Sequence, residues 1–439
     1  MMTDFKTTMK ALAVPFAVFA MPLTLAAETL VIQGGTIHPI TAEPFVGNVI
    51  VTDGVIQAAG ALAAPVPADA EVIDASGLHV YPGLVDAMSQ LGLIEVGAVP
   101  ATDDQAEMGM YNAHLQSATA IHPASELIPV ARANGITHAV VAPEVDDGVI
   151  AGQAALVHLD GWTVEEMAID PSVAMVIQWP EIVTRRFDFA TFSMKESAFK
   201  EAKEKAEEQQ QELRSWLEAA RHYRQAVDAG STRLESDLRL AALAEVLDGG
   251  KPVIIQADSK RDIEAAIEFA ESEGLRMILA GGRDAWRVKE LLAEKGIPVI
   301  LGIVQSLPRE DDDPYDTPFR NPGELVAAGV KIAFASGAGG GFGPGGPHSS
   351  RTTPYEAATA VAFGLSADDA MKALTLWPAE MLGVGDQLGS IEMGKRANLI
   401  VTDGNPLEIT TQVIYLVIDG REVSTDNPHR SLYDKYRAR

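Results

Sequence analysis

The chain has 439 residues, room for two or three domains or for one barrel with an attachment, which excludes a single small module. Its 47% hydrophobic and 22% charged residues describe a globular protein with a large core and exclude wholesale disorder. A formal net charge of -27 opposes binding to nucleic acid, and the absence of cysteine removes disulfides, thiolate metal sites and a cysteine nucleophile.

Residues 1–27 read as a cleavable secretory leader. Lys6 and Lys10 precede an apolar run from Ala11 to Leu25, and the small residues Ala26 and Ala27 close it. Pro15 and Pro22 interrupt the run, which is shorter than the roughly 20 residues of a spanning helix. The expected location is periplasmic or secreted, without membrane insertion once the leader is removed.

From Thr29 to Gly60 the pattern is short and β-rich, with Asp53-Gly54 placed as a hairpin turn. The same texture returns only in 397–404 and 414–423, so residues 28–80 and 383–439 are expected to build one small β domain together. Between them, residues 81–382 alternate short apolar runs with helical stretches. Candidate strands are Leu78 to Asp86, Ile136 to Ala142, Ala154 to Leu159, Val173 to Gln178, Pro252 to Ala257, Arg276 to Ala280, Ile297 to Leu301 and Lys331 to Ala335. The predicted fold class is α/β: a (β/α)8 TIM-type barrel with a composite β-sandwich domain built from both chain ends, and an active site at the C-terminal strand ends.

One charged helical segment, 193–228, opens on Ser193-Met-Lys-Glu196, which has the form of a capping box. Glu196 with Lys200 and Glu201 with Lys205 have the spacing of i, i+4 ion pairs. A solvated helix is the expectation for such a run, ahead of a docking arm.

The segment Tyr81-Pro-Gly-Leu-Val-Asp86 resembles the first barrel strand of the amidohydrolase superfamily, in its secreted, imidazolonepropionase-like branch. The likeness extends through Asn134-Gly-Ile-Thr137, Ile150-Ala-Gly-Gln153 and Phe363-Gly-Leu-Ser366, and is strongest in Gly389-Ser-Ile-Glu-Met-Gly-Lys-Arg-Ala-Asn-Leu399. The resemblance implies zinc or another divalent metal at the barrel mouth, held mostly by histidines and one aspartate, for hydrolysis of C–N bonds in non-peptide or dipeptide substrates.

The same resemblance places the ligand positions on residues of another kind. The His-x-His pair falls on Met88 and Gln90, the fifth-strand histidine on Gln256, the sixth-strand histidine on Gly281 and the catalytic aspartate on Gly337. Gln178 stands where some relatives carry a metal-bridging acid. Amides, a thioether and glycines do not supply the imidazole nitrogen or anionic oxygen that such dications need. No catalytic residue, metal ligand or cofactor is therefore assigned.

The nine histidines offer no metal pair at spacings of one to five residues; His348, beyond the last strand, is kept as a mouth candidate. There is no Gly-x-Ser-x-Gly elbow. Clustered carboxylates in 310–316 lack the spacing of a calcium loop. Asp258 and Asp284 are candidate acid–base groups near the mouth. The Gly-rich stretch 337–346 has the composition of an anion cradle or of a loop filling the vacated metal space.

Three functions follow, the third being a pure partner-docking protein that uses the charged helix. The first is a metal-free pseudoenzyme that binds a small polar ligand or serves as a subunit, in a homo-oligomer or beside an active homologue. The second is an active amidohydrolase that cleaves a C–N bond with an unrecognised site.

Overall fold

The computed structural model describes residues 28–61, 70–145, 148–188, 193–231, 234–338 and 346–439. The leader assigned to 1–27 and positions 339–345 of the Gly-rich stretch lie outside them.

The first sheet is built from β1 (Thr29–Ile37), β2 (Phe45–Thr52), β3 (Val55–Ala61), β4 (Glu71–Asp74) and β5 (His79–Pro82). Asp53 and Gly54 both adopt positive φ, as the two-residue turn between β2 and β3 requires. After the barrel the chain returns to this sheet through its C-terminal strands. Leu30, Ile32, Val49 and Val51 from the first strands share one buried cluster with Leu399, Val401 and Val417 from the chain's end. The sheet therefore folds around a core that neither chain end fills alone.

Eight strands make the barrel: β6 (Leu84–Ser89), β7 (Ile136–Val141), β8 (Ile150–His158), β9 (Ala168–Gln178), and, after a small hairpin of β10 (Arg185–Asp188) and β11 (Ser193–Glu196), β12 (Val253–Ala257), β13 (Met277–Gly281), β14 (Val299–Leu301) and β15 (Ile332–Phe334). They pair in sequence order from β6 to β15 when the hairpin is left out. Alternation along these strands separates two cores. Ile254, Ile278, Ile300 and Ala333 fill the barrel interior cluster, while Val253, Ile255, Leu279 and Phe334 face the surrounding helices.

Besides the run Leu78 to Asp86, which is divided between β5 of the first sheet and β6 of the barrel, two expectations need correction. The third strand begins at Ile150, ahead of Ala154, and runs antiparallel to both β7 and β9. Residues 142–149 are too few for the crossover of a dozen or more residues that a parallel return needs, so the chain doubles back. The second concerns the capping box. Ser193–Glu196 is strand β11, paired with β10, and the helix starts at Phe199 with no side-chain cap. Glu196 consequently pairs with Arg185, and the i, i+4 lysine–glutamate pairs that form in this helix among the described residues are Lys200 with Glu204 and Lys203 with Glu207.

The helix Phe199–Asp228 is also less solvated than its charge suggests. Leu213 and Leu217 are fully buried, and Arg214 and Arg221 both reach Glu273 on the helix Lys260–Glu273, at 2.6 Å and 2.7 Å.

The sheet of the small domain is completed by β16 (Leu399–Thr402), β17 (Val413–Ile418) and β18 (Arg421–Val423). β16 pairs antiparallel with β5, which lies beside β1, so both chain ends share one hydrogen-bonded sheet.

Candidate functional site at the barrel mouth

The parallel strands all end on one face, and the positions singled out in the sequence gather there. Gln178 closes β9 and Gln256 lies directly beside it on β12 in register, both at inward-pointing positions of the alternation. Gln256 Nε2 donates to the sulfur of Met88 at 3.7 Å, which links β12 to β6 across the interior. Met88 is fully buried, and Gln90 is 2% exposed. The Gln90 side-chain amide lies against Gly337, and its Nε2 is buried without a hydrogen-bond partner among the described residues.

Gly281 differs in kind. Its φ is +87°, a conformation that side-chain-bearing residues rarely adopt, and a Cβ there would stand 2.7 Å from Asp258 Oδ1. A histidine at this position would meet both backbone strain and a carboxylate. His348, by contrast, is exposed on the turn Pro347–Thr352, and no described hydrogen bond joins it to the other positions.

The barrel closes through a contact that no sequence motif announces. Ser336 N–H donates to Asp86 Oδ1 at 2.9 Å, Ser336 Oγ donates to Oδ2 at 2.6 Å, and Gly337 N–H donates to the Met88 carbonyl at 2.8 Å. Ser89 Oγ adds a 3.0 Å contact to Ser336 Oγ. Asp86 is completely buried, and burial pushes its carboxyl above the usual range against the pull of the Ser336 hydrogen bonds.

Carboxylates occupy the rim. Glu181, just beyond β9, is pushed up to about 7 by burial and by the charges of Asp262 and Asp258, against the opposing pull of Arg309 and the Asp258 N–H. The Asp258 carboxyl is likewise raised, mainly by burial, although it accepts from Arg283 N–H at 3.2 Å. Asp284 accepts from Lys260 N–H at 3.1 Å and from Arg309 at 3.3 Å, so it braces two rim loops. The position of Glu181 two residues past Trp179 at a strand end is the only hint the sequence gives of its place.

Do these residues fit a dication? The donor set at the strand ends is one thioether, three amides and two glycines, which suits neither zinc nor a harder metal. Among the described residues no group of three or more His, Asp or Glu is arranged to hold a metal ion. In the acidic stretch 310–316, Asp313 pairs with Arg287, Asp316 with Arg320 and Glu310 with Arg309.

A barrel of this strand order, with a second sheet drawn from both chain ends, defines the class of metal-dependent hydrolase folds. The chain belongs to the amidohydrolase family, whose model matches residues 193–424, and whose members are hydrolases acting on carbon–nitrogen bonds. It is 26% identical over 401 residues to the amidohydrolase tasK of Hapsidospora irregularis, and 30% identical over 198 residues to an N-substituted formamide deformylase of Arthrobacter pascens. These alignments cover 86% and 41% of this chain but only 40% and 34% of those relatives. Among solved structures, an amidohydrolase from Thermotoga maritima superposes with a TM-score of 0.77 at 26% identity, covering 90% of this chain and 99% of that one. A prolidase complexed with N-methylphosphonate-L-proline, with a TM-score of 0.54 at 18% identity over 90% of this chain and 99% of its own, shares the fold.

Proposed function

We propose that this chain is an exported member of the amidohydrolase family that has given up metal-dependent hydrolysis and uses its barrel mouth to bind a small, neutral, polar ligand. The observation that carries the reading is the Gln256 to Met88 contact at the strand ends, where a dication would need imidazole or carboxylate. Gln90 supports it, because a buried amide N–H without a partner among the described residues is a donor that a ligand's acceptor would satisfy. The positive φ of Gly281 supports it further, since the backbone there disfavours a restored ligand.

In a working site of this family the metal creates hydroxide near neutral pH and offsets charge in the transition state. Side-chain amides do neither. A second reading, a hydrolase that works through acid–base chemistry without a family-type metal, is favoured by Glu181, whose carboxyl titrates near neutral pH at the rim.

Elemental analysis after mild purification, run beside amidase assays with and without chelator, tests the proposal. The expected result is substoichiometric zinc, manganese and iron, and no chelator-sensitive hydrolysis. About one tightly bound divalent metal per chain, with hydrolysis lost on chelation and restored by that metal, overturns it. Intact mass of the exported protein checks the leader: a chain that begins at Ala27 or Glu28 fits, and a retained Met1 does not.

A further inference from the structure

The helix Pro428–Arg437 contains no buried residue. Leu432, Tyr433 and Tyr436 are 48%, 61% and 53% exposed, and their i, i+3 and i, i+4 spacings put them on one side. Asn427 caps its first turn through the Arg430 N–H at 3.1 Å, and among the described residues its hydrogen bond to the body is the one Arg351 donates to His429 Nδ1 at 2.7 Å. A helix of ten residues is marginal in water on its own, and tertiary cover of an apolar face is what normally sustains one. This helix has the apolar face and no described cover.

Its charge runs against the rest of the chain. From residue 428 to 439 there are four basic residues and one acid, in a protein of net charge -27. Arg430, Lys435 and Arg437 make no ion pair with another described residue. The aromatic rings of the helix are instead flanked by its own cations, Arg437 over Tyr433 at 5.9 Å and Arg439 over Tyr436 at 4.7 Å. An acidic surface that also exposes apolar side chains is the complementary partner.

The barrel mouth provides such a surface. The loop after β6, residues 94–110, carries Glu95, Asp103, Asp104 and Glu107 with no basic residue, and exposes Met108 at 97%. The loop after β14 exposes Leu307 at 82% and Tyr315 at 75% on either side of Glu310, Asp311 and Asp312. Asp104, Glu107, Asp311 and Asp312 make no ion pair with another described residue. Because β6 and β14 both belong to the parallel set, these two loops rise from the same end of the barrel.

We propose that this chain pairs with a second copy of itself, each copy laying its helix Pro428–Arg437 across the acidic loops 94–110 and 307–316 at the mouth of the other. Reciprocal exchange of this kind closes as a two-fold dimer and leaves no unmatched surface to propagate a chain. Exposed ion pairs are individually weak, so the attraction depends on several pairs acting together with burial of Leu432, Tyr433 and Tyr436 against Met108, Leu307 and Tyr315. The pairing rests on surfaces outside the amide cluster and stands or falls separately from the ligand proposal.

Sedimentation equilibrium of the full chain tests it. The expected result is a dimer whose dissociation constant weakens by about tenfold or more between about 0.05 M and about 0.5 M salt. The triple substitution Arg430→Glu, Lys435→Glu, Arg437→Glu should give a monomer, and so should Asp311→Lys with Asp312→Lys. Joining both sets in one chain should bring the dimer back, an outcome that misfolding does not produce. A monomer at every concentration, or a dimer indifferent to either reversal, overturns the proposal. Helix-dependent binding of a monomer to phosphatidylglycerol vesicles also overturns it, in favour of a lipid surface.

Discussion

Ser336 grips Asp86 through both carboxylate oxygens, with its backbone N–H on Oδ1 at 2.9 Å and its hydroxyl on Oδ2 at 2.6 Å. The pair joins the last barrel strand to the first, so the barrel closes on a buried acid as well as on apolar packing.

Burial holds the Asp86 carboxyl above its unfolded value, so its contribution to stability is complete below that unfolded value and is lost as pH rises through the folded one. Asp86→Asn keeps an acceptor for the Ser336 N–H and removes the titration. Its stability relative to the natural protein should therefore improve in urea unfolding as pH rises above the unfolded carboxylate value. Asp86→Ala leaves the buried N–H unsatisfied and should cost about 1–3 kcal/mol. Parallel pH profiles for the natural protein and Asp86→Asn would contradict this account.

A second pH dependence has the opposite sign. His138 is fully buried opposite His158 on β8, with a 2.7 Å contact from Nδ1 to Thr137 Oγ1, and burial with the His158 charge lowers it to about 3. A histidine lowered in this way contributes stability above the unfolded value near 6.5 and loses it as pH falls towards about 3, on the order of a few kcal/mol. His138→Leu should flatten the fall in melting temperature between pH 6.5 and pH 4.5. A variant that loses stability as steeply as the natural protein over that range would assign the acid sensitivity elsewhere.

How much of this was legible beforehand depends on whether a residue's role is local. The parallel strands were readable because they are built on short apolar runs such as Val299 to Leu301, buried on both faces. The reversed direction of β8 was not, since Ala154 to Leu159 looks the same in either orientation; only the shortness of 142–149 carried that information. Ser193 and Glu196 match a capping box and an exposed hairpin strand equally well, and pairing with Arg185 and Asp188 decided the matter. At the mouth, Met88 and Gln90 could be placed because they follow Asp86 at fixed spacing. Glu181 and Ser336 belong to no pattern, and their roles come from neighbours 77 and 250 residues away, Asp258 and Asp86.

The charged helix should prove to be a packed element. Leu217 is fully buried within the main core, and Glu273 receives both Arg214 and Arg221. Leu217→Ala should cost about 2–5 kcal/mol, whereas Glu204→Ala, which removes only an exposed i, i+4 partner of Lys200, should change stability by less than about 0.5 kcal/mol. Equal effects of the two substitutions on the urea midpoint would show a solvated helix.

The last prediction concerns the space where family members place their ligands. A Cβ on Gly337 would stand 2.7 Å from Gln90 Nε2, so Gly337→Ala must push the buried Gln90 amide aside and should cost about 1–3 kcal/mol. Gln90→Ala empties that space, and the cost of Gly337→Ala should then fall to within about 0.5 kcal/mol of zero; the difference is the coupling between the two positions. The same crowding bears on reactivation. An aspartate at 337 and the present Gln90 compete for one volume, and a histidine at 281 would have to adopt a left-handed backbone beside Asp258. Met88→His with Gln90→His should therefore yield neither stoichiometric zinc nor hydrolysis of C–N bonds. Metal titration of that double variant by calorimetry decides the point, and a single tight zinc site accompanied by turnover would show that the mouth kept more of its ligand-supporting geometry than Gly281 and Gly337 imply.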